Sequence, residues 1–130
     1  MTKILVVDDS PNWVKYHTFA LNELFQQKVQ IVQAYSAKDG IEKLLLNIDE
    51  PFDVILTDMQ MEPDFLPLFA GEWFIKQIQY FKEYKNTKIF IISAAENIKF
   101  LAEKYGVNFI RKSSCNQDGA YDIIKILFFE

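Results

Sequence analysis

The chain has 130 residues, half of them hydrophobic and a quarter charged, with few glycines and prolines; that is the profile of one globular domain spanning 1–130, with a continuous core, no room for a second, and no disorder expected beyond the ends. A formal charge of −4 argues against nucleic acid as a direct partner, because phosphate backbones select clustered Lys and Arg, and it is compatible with a cation site. The apolar runs are too short for a bilayer span, and Met1 leads into a strand without a basic flank or signal-type apolar segment, so a soluble cytoplasmic protein is expected, with its single Cys115 an incidental thiol.

The first predicted strand, β1, is the apolar run Lys3 to Val7, which stops at Asp8 and Asp9. Ser10 and Pro11 read as an N-cap and first helical position for α1, running to about Gln27. Val29 to Tyr35 is β2, and Gln30 and Gln33 interrupt its apolar pattern as expected at a sheet edge. Ser36 caps α2, Ala37 to about Asn47, whose Ile41, Leu44, Leu45 and Ile48 form an apolar stripe before Asp49, Glu50 and Pro51 end it. Phe52 to Thr57 is β3 and stops at Asp58; Gly71 to Tyr84 is α3; Lys88 to Ile92 is β4 and stops at Ser93. Ala95 to Tyr105 is α4, halted by Gly106, Val107 to Ile110 is β5, which leads to Lys112, and about Gln117 to Phe129 is the closing α5. Five βα units in succession imply a parallel sheet covered on both faces. Right-handed crossovers then favour a doubly wound, flavodoxin-like three-layer α/β sandwich of order 2-1-3-4-5, with its crevice outside the carboxyl ends of β1 and β3.

Asp8, Asp9 and Asp58 would therefore meet in that crevice. Crowded carboxylates repel one another unless a cation compensates, and a hard divalent ion such as Mg2+ suits an all-oxygen site that also takes phosphate. Asp58 stands alone at the end of a central strand and is the better nucleophile toward phosphorus, whereas the adjacent Asp8 and Asp9 suit the metal. Lys112 supplies a further positive charge, and the Ser93 hydroxyl can donate to a phosphoryl oxygen past the small Ala94 and Ala95.

At this level of detail the chain resembles the receiver domain of two-component response regulators, of the single-domain chemotaxis-regulator type. The resemblance spans nearly the whole sequence and rests on the ordered set LVVDDS, DVILTDMQM, Ile91 to Ala94, and Phe109 to Lys112. It implies that Asp58 is the phosphoacceptor, that Asp8, Asp9, Asp58 and the backbone carbonyl of Gln60 hold Mg2+, that Ser93 is the switch hydroxyl and Lys112 the conserved-type lysine, and that Phe109 occupies the aromatic switch position. It further implies a phosphorylation-dependent signalling switch rather than an enzyme: a phosphoryl group arrives from the histidine of a sensor kinase or phosphotransfer domain, self-hydrolysis is slow, and the α4-β5-α5 face changes its binding to a downstream protein or to a second copy. Trp13 and Tyr16, early in α1, fall where the family docks its kinase or phosphotransfer partner, or else pack simply against the sheet.

Several features depart from the family pattern. Ser113 follows Lys112 where proline is usual; the segment from Ser93 to Lys112 is short, implying a trimmed α4; and MQMEPDFLPLFA between Asp58 and Gly71 is long, with Phe65, Leu66, Leu68 and Phe69 serving either as a lid or partner contact or as packing under α3. His17, the sole histidine, is expected as a surface or half-buried helix residue without a catalytic or metal role. The apolar excess of α5, at Tyr121, Ile123, Ile124, Ile126, Leu127, Phe128 and Phe129, suggests an exposed remainder for a partner or for self-association. A receiver that binds partners without phosphorylation conflicts with the intact Asp58, Ser93 and Lys112. An aspartate-nucleophile phosphatase of the haloacid-dehalogenase kind wants an acid where Gln60 stands, and no Gly-rich loop supports a nucleotide site.

Overall fold

The computed structural model describes residues 1–61 and 70–128, with the side chain of Phe128 left aside. Strands β1 (Thr2–Val7), β2 (Val29–Ala34), β3 (Val54–Asp58), β4 (Lys88–Ser93) and β5 (Asn108–Arg111) alternate with helices α1 (Pro11–Leu24), α2 (Ala37–Leu46), α3 (Ala70–Tyr80), α4 (Ile98–Tyr105) and α5 (Asp122–Phe128). The strands form one parallel sheet in the order β2-β1-β3-β4-β5, so the expected doubly wound α/β sandwich is the fold. None of the described helices is long and apolar enough to cross a membrane.

Side chains alternate across a strand, so each strand feeds two cores. Leu5, Val7, Ile55 and Ile91 join Leu44, Phe74, Ile75 and Ile98 under α2, α3 and α4. Ile4, Val6, Val54, Leu56, Phe90, Ile92 and Ile110 join Val14, Leu21, Tyr121 and Ile124 under α1 and α5. The strands are therefore apolar on both faces, which is what a covered parallel sheet demands. The two edge strands carry mixed patterns: β2, as its glutamines predict, and the short β5 with Asn108 and Arg111.

Element ends differ from the sequence expectation where local chemistry intervenes. Helix α1 stops at Leu24 because Gln26 and Gln27 turn to positive φ. The predicted α3 divides: Phe81 is extended, and a separate 3₁₀ turn, Lys82–Tyr84, follows it. Helix α4 begins at Ile98 behind an Asn97 that makes no side-chain cap, and it ends at Gly106 with φ of 66°. At eight residues, it is as trimmed as the short segment implies. A 3₁₀ turn at Lys112–Ser114 follows β5, and a further turn through Gly119, φ 79°, occupies the start of the predicted α5 and delays the helix to Asp122. Asn, Asp and Gly in succession favour such turns over helix. The roles expected for Phe65, Leu66, Leu68 and Phe69, and for the side chains of Phe128 and Phe129, lie outside the described residues.

Candidate functional site

The end of β3 places Asp58 between β1 and β4 at the carboxyl rim, and the backbone ladder extends past β1 through the Asp8 N–H, which donates to the Ala34 carbonyl at 3.2 Å. Asp8 and Asp58 continue the strand parity that faces α1 and α5. Asp8, Asp9 and Asp58 each offer a carboxylate oxygen, all within 4.8 Å of one another. Asp8 is fully buried and Asp58 nearly so, while Asp9 is partly exposed. Lys112 reaches back from the turn after β5 and sets its Nζ 3.4 Å from Asp8 Oδ2 and 3.5 Å from Asp58 Oδ2. The Ser10 amide donates to Asp8 Oδ1 at 3.0 Å, and the Gln60 amide donates to Asp58 Oδ1 at 3.2 Å. The structure thus brings together Asp8, Asp9, Asp58 and Lys112, with Gln60 bonded to the same cluster through its backbone.

Burial, then the neighbouring Asp8 charge, push the Asp58 carboxyl above the usual carboxylate range, and Lys112 and the Gln60 amide only partly oppose them. Asp8 moves the other way: burial alone would raise it, but contact with His17, the Ser10 amide and the Lys112 charge outweigh burial and hold it lower. Lys112 serves both almost equally, so the two carboxylates are driven apart because Asp8 also has His17 and the Ser10 amide, whereas Asp58 faces the Asp8 charge. The pocket is short of positive charge, and its donors are hard oxygens. That is the donor set and the electrostatic deficit that Mg2+ fits.

Ser93 ends β4 beside Asp58, since Asp58 pairs with Ile92. It is buried, and its Oγ accepts a hydrogen bond from the Ala95 amide at 3.0 Å. Phe109 pairs with Ile91 on β5, half-buried against the α2-α3-α4 core, with the Arg111 guanidinium 5.6 Å from its ring centroid. Ser93 and Phe109 have the opposite parity from Asp58 and lie on the α4 side. A change at the rim can therefore act on either face of the sheet through separate residues.

The α1 side departs most from expectation. His17 is buried, at 2% exposure, where a surface or half-buried residue was predicted. Its Nδ1 makes a 2.6 Å hydrogen bond with the Tyr121 hydroxyl, and its Nε2 lies 3.6 Å from Asp8 Oδ2 with no hydrogen-bond partner. The signal was present: His17 falls between Val14 and Leu21 on the buried helical stripe. Trp13 is only partly exposed; Lys112 Nζ lies 4.8 Å from its ring centroid, and the His17 ring stacks on it at 5.3 Å. Tyr16 is 42% exposed and donates through its hydroxyl to the Cys115 carbonyl at 2.9 Å. Of the residues expected to dock a partner, Tyr16 is open to solvent and Trp13 belongs to the pocket wall.

Comparison with known proteins agrees with this architecture. The family model described as the response regulator receiver domain matches residues 4–121. A search of curated proteins gave no match. Among solved structures, the signal receiver domain of a DNA-binding response regulator from Colwellia psychrerythraea is similar with a TM-score of 0.78 at 21% identity, covering 100% of both chains. The chemotaxis response regulator CheY4 of Vibrio cholerae gives 0.71 at 22% identity, over 98% of this chain and 96% of that one. A response regulator receiver domain protein from Clostridium thermocellum gives 0.70 at 23%, over 98% and 99%.

Proposed function

Because the chain belongs to the response regulator receiver family, whose members are signalling switches, we propose that it is a single receiver domain that takes a phosphoryl group on Asp58 and changes its binding in response. The observation that carries this reading is the cluster itself: a buried strand-end carboxylate at Asp58, two further carboxylates within reach of one ion, and Lys112 bridging Asp58 and Asp8.

Asp8, Asp9, Asp58 and the backbone carbonyl of Gln60 would hold Mg2+. When bound, the ion supplies positive charge for the phosphoryl oxygens and lowers the repulsion among the carboxylates. The chain's own residues do the remainder. The Asp58 oxygen attacks phosphorus in line, and the leaving group departs with its electron pair, so no proton need be taken from the nucleophile. Lys112 stands within reach of Asp58 and neutralises charge on the transferring group. The Ser93 hydroxyl, now engaged with Ala95, turns to donate to a phosphoryl oxygen, and its movement frees space on the α4 side for Phe109. The change is a population shift between two packings, and its output is binding.

The donor is the phosphohistidine of a sensor kinase or phosphotransfer domain, which sets this protein in the cytoplasm. Tyr16, with the neighbouring exposed Phe19 on α1, offers the docking side. The output face carries exposed Phe100 on α4 and Ile123 and Ile126 on α5, suited to a downstream protein or to a second copy.

Incubation with Mg2+ and acetyl phosphate, followed by intact mass, tests the assignment. The wild type should gain one phosphoryl group and Asp58→Asn none. A wild type that takes no phosphate from acetyl phosphate or from an active kinase overturns the reading, and an adduct surviving in Asp58→Asn moves the acceptor elsewhere.

A further inference from the structure

Lys112 is held by a contact that the carboxylates do not explain. Its distances to Asp8 and Asp58, 3.4 and 3.5 Å, lie at the outer limit of hydrogen bonding, so neither fixes the ammonium. The residue sits in a 3₁₀ turn with Ser113 following it, and a lysine is a point charge on a flexible stem. The closest organised surface is the face of Trp13, 4.8 Å from Nζ to the ring centroid. That indole is itself fixed. Its backbone N–H donates to Ser10 Oγ at 3.4 Å, the Ser10 amide donates to Asp8, and the buried His17 ring stacks on the indole with an interplanar angle of 27°.

We propose that Trp13 is a positioning residue of the phosphoryl-transfer site, its indole a platform that keeps the Lys112 ammonium between Asp8 and Asp58. The inference rests on the reading that Asp58 accepts phosphate. During transfer the ammonium must exchange carboxylate oxygens for a phosphoryl oxygen, so its polar partners change. An aromatic face attracts a cation through its quadrupole and is not displaced by incoming phosphate. Trp13 therefore retains the lysine while Asp58 forms its new P–O bond and the P–O bond to the leaving acetate breaks, the electron pair going with acetate.

Acetyl phosphate separates this role from partner docking, because it needs no protein surface. Initial rates with Mg2+ and acetyl phosphate would be compared for wild type, Trp13→Phe and Trp13→Leu. Loss of the aromatic face in Trp13→Leu should slow phosphorylation about tenfold, and Trp13→Phe should recover to within about threefold of wild type. The ε-methylene protons of Lys112, read by NMR on the unphosphorylated protein, should be shifted upfield by ring current in wild type and Trp13→Phe, and should return to ordinary lysine positions in Trp13→Leu. Should Trp13→Leu fail to fold, the lysine shift in wild type and the Trp13→Phe rate still decide. Trp13→Leu phosphorylated at the wild-type rate overturns the proposal, as do unshifted lysine protons in wild type. If only kinase-driven transfer slows, Trp13 is a docking residue and nothing more. A wild type that takes no phosphate, with its lysine shift intact, defeats the Asp58 reading and shows the contact to have another purpose.

Discussion

The two rims of the same sheet handle charge in opposite ways. At the amino end, the Lys3 Nζ donates to the Glu50 carbonyl at 2.8 Å and lies 5.1 Å from the Phe52 ring centroid, while the Lys3 amide donates to Asp53 Oδ2 at 2.9 Å. The Asp53 amide donates to the Lys3 carbonyl, the Lys88 amide to the Asp53 carbonyl, and the Thr87 and Tyr84 hydroxyls to the carbonyls of Phe52 and Leu44. Every one of these groups has a partner, and the Tyr84 phenol is pushed up to about 12 by burial and then by Glu83. At the carboxyl end, Asp8 and Asp58 share Lys112 with the Asp9 carboxylate close by, and the buried His17 Nε2 has no hydrogen-bond partner. The amino rim is built for stability, and the carboxyl rim keeps a charge imbalance that a cation would relieve. A fold tolerates such a site only when the rest of the chain is well satisfied.

The largest effect should come from breaking the satisfied rim. Phe52 is buried and stacks on Tyr84 at 6.2 Å, so Phe52→Ala should cost about 3–5 kcal/mol in urea unfolding, the usual range for a buried aromatic truncated to alanine. While folded, that variant should still take phosphate at the wild-type rate; a rate that falls with stability would mean the two rims are not independent. The next effect belongs to the other rim. Lys112→Ala removes the one cation that, among the described residues, touches both Asp8 and Asp58 and should slow phosphorylation from acetyl phosphate about a hundredfold, near 2.7 kcal/mol in barrier. A change of less than about threefold would leave the lysine without a part in transfer.

How much of this contrast could be read from sequence depended on range. The apolar runs ending at Asp8, Asp58 and Ser93 were enough to place those residues at the rim, because a buried parallel strand has little choice of pattern, and the order of the sheet followed from five βα units with right-handed crossovers. The helix starts were less legible. Asn97 makes no side-chain cap and Gly119 takes positive φ, so α4 and α5 begin later than their apolar residues suggest. His17 was missed for a different reason. Its helical position predicts burial, but what makes burial tolerable is Tyr121, 104 residues away, and no local pattern announces such a partner. Trp13 shows the same limit: its place at the start of α1 is evident, and its contact with Lys112 exists only once the turn after β5 reaches back over the rim of the sheet.

The smallest effect is the sharpest test of whether the carboxyl rim carries a cost. Burial and Asp8 raise the carboxyl of folded Asp58 above its unfolded value. Between the ordinary value, about 3.9, and that raised value, the native state binds more protons than the unfolded chain, so this group's contribution to stability falls as pH rises through the window. Asn at this position keeps an acceptor for the Gln60 amide and removes the charge. In the absence of divalent ions, Asp58→Asn should therefore be more stable than wild type at neutral pH, with Tm higher by a few degrees, and the gain should vanish in acid, below the ordinary carboxylate range. Asp8 has the opposite sign, since its lowered carboxyl supports the fold above the ordinary range and loses that support as pH falls. Because the Asp8 charge is one of the causes that raise Asp58, removing the Asp58 charge also holds Asp8 lower, so the difference between the two proteins reports the coupled pair. Thermal unfolding at matched pH values measures that difference, and one that stays flat from acid to neutral would mean the charge imbalance at this rim does not destabilise the fold.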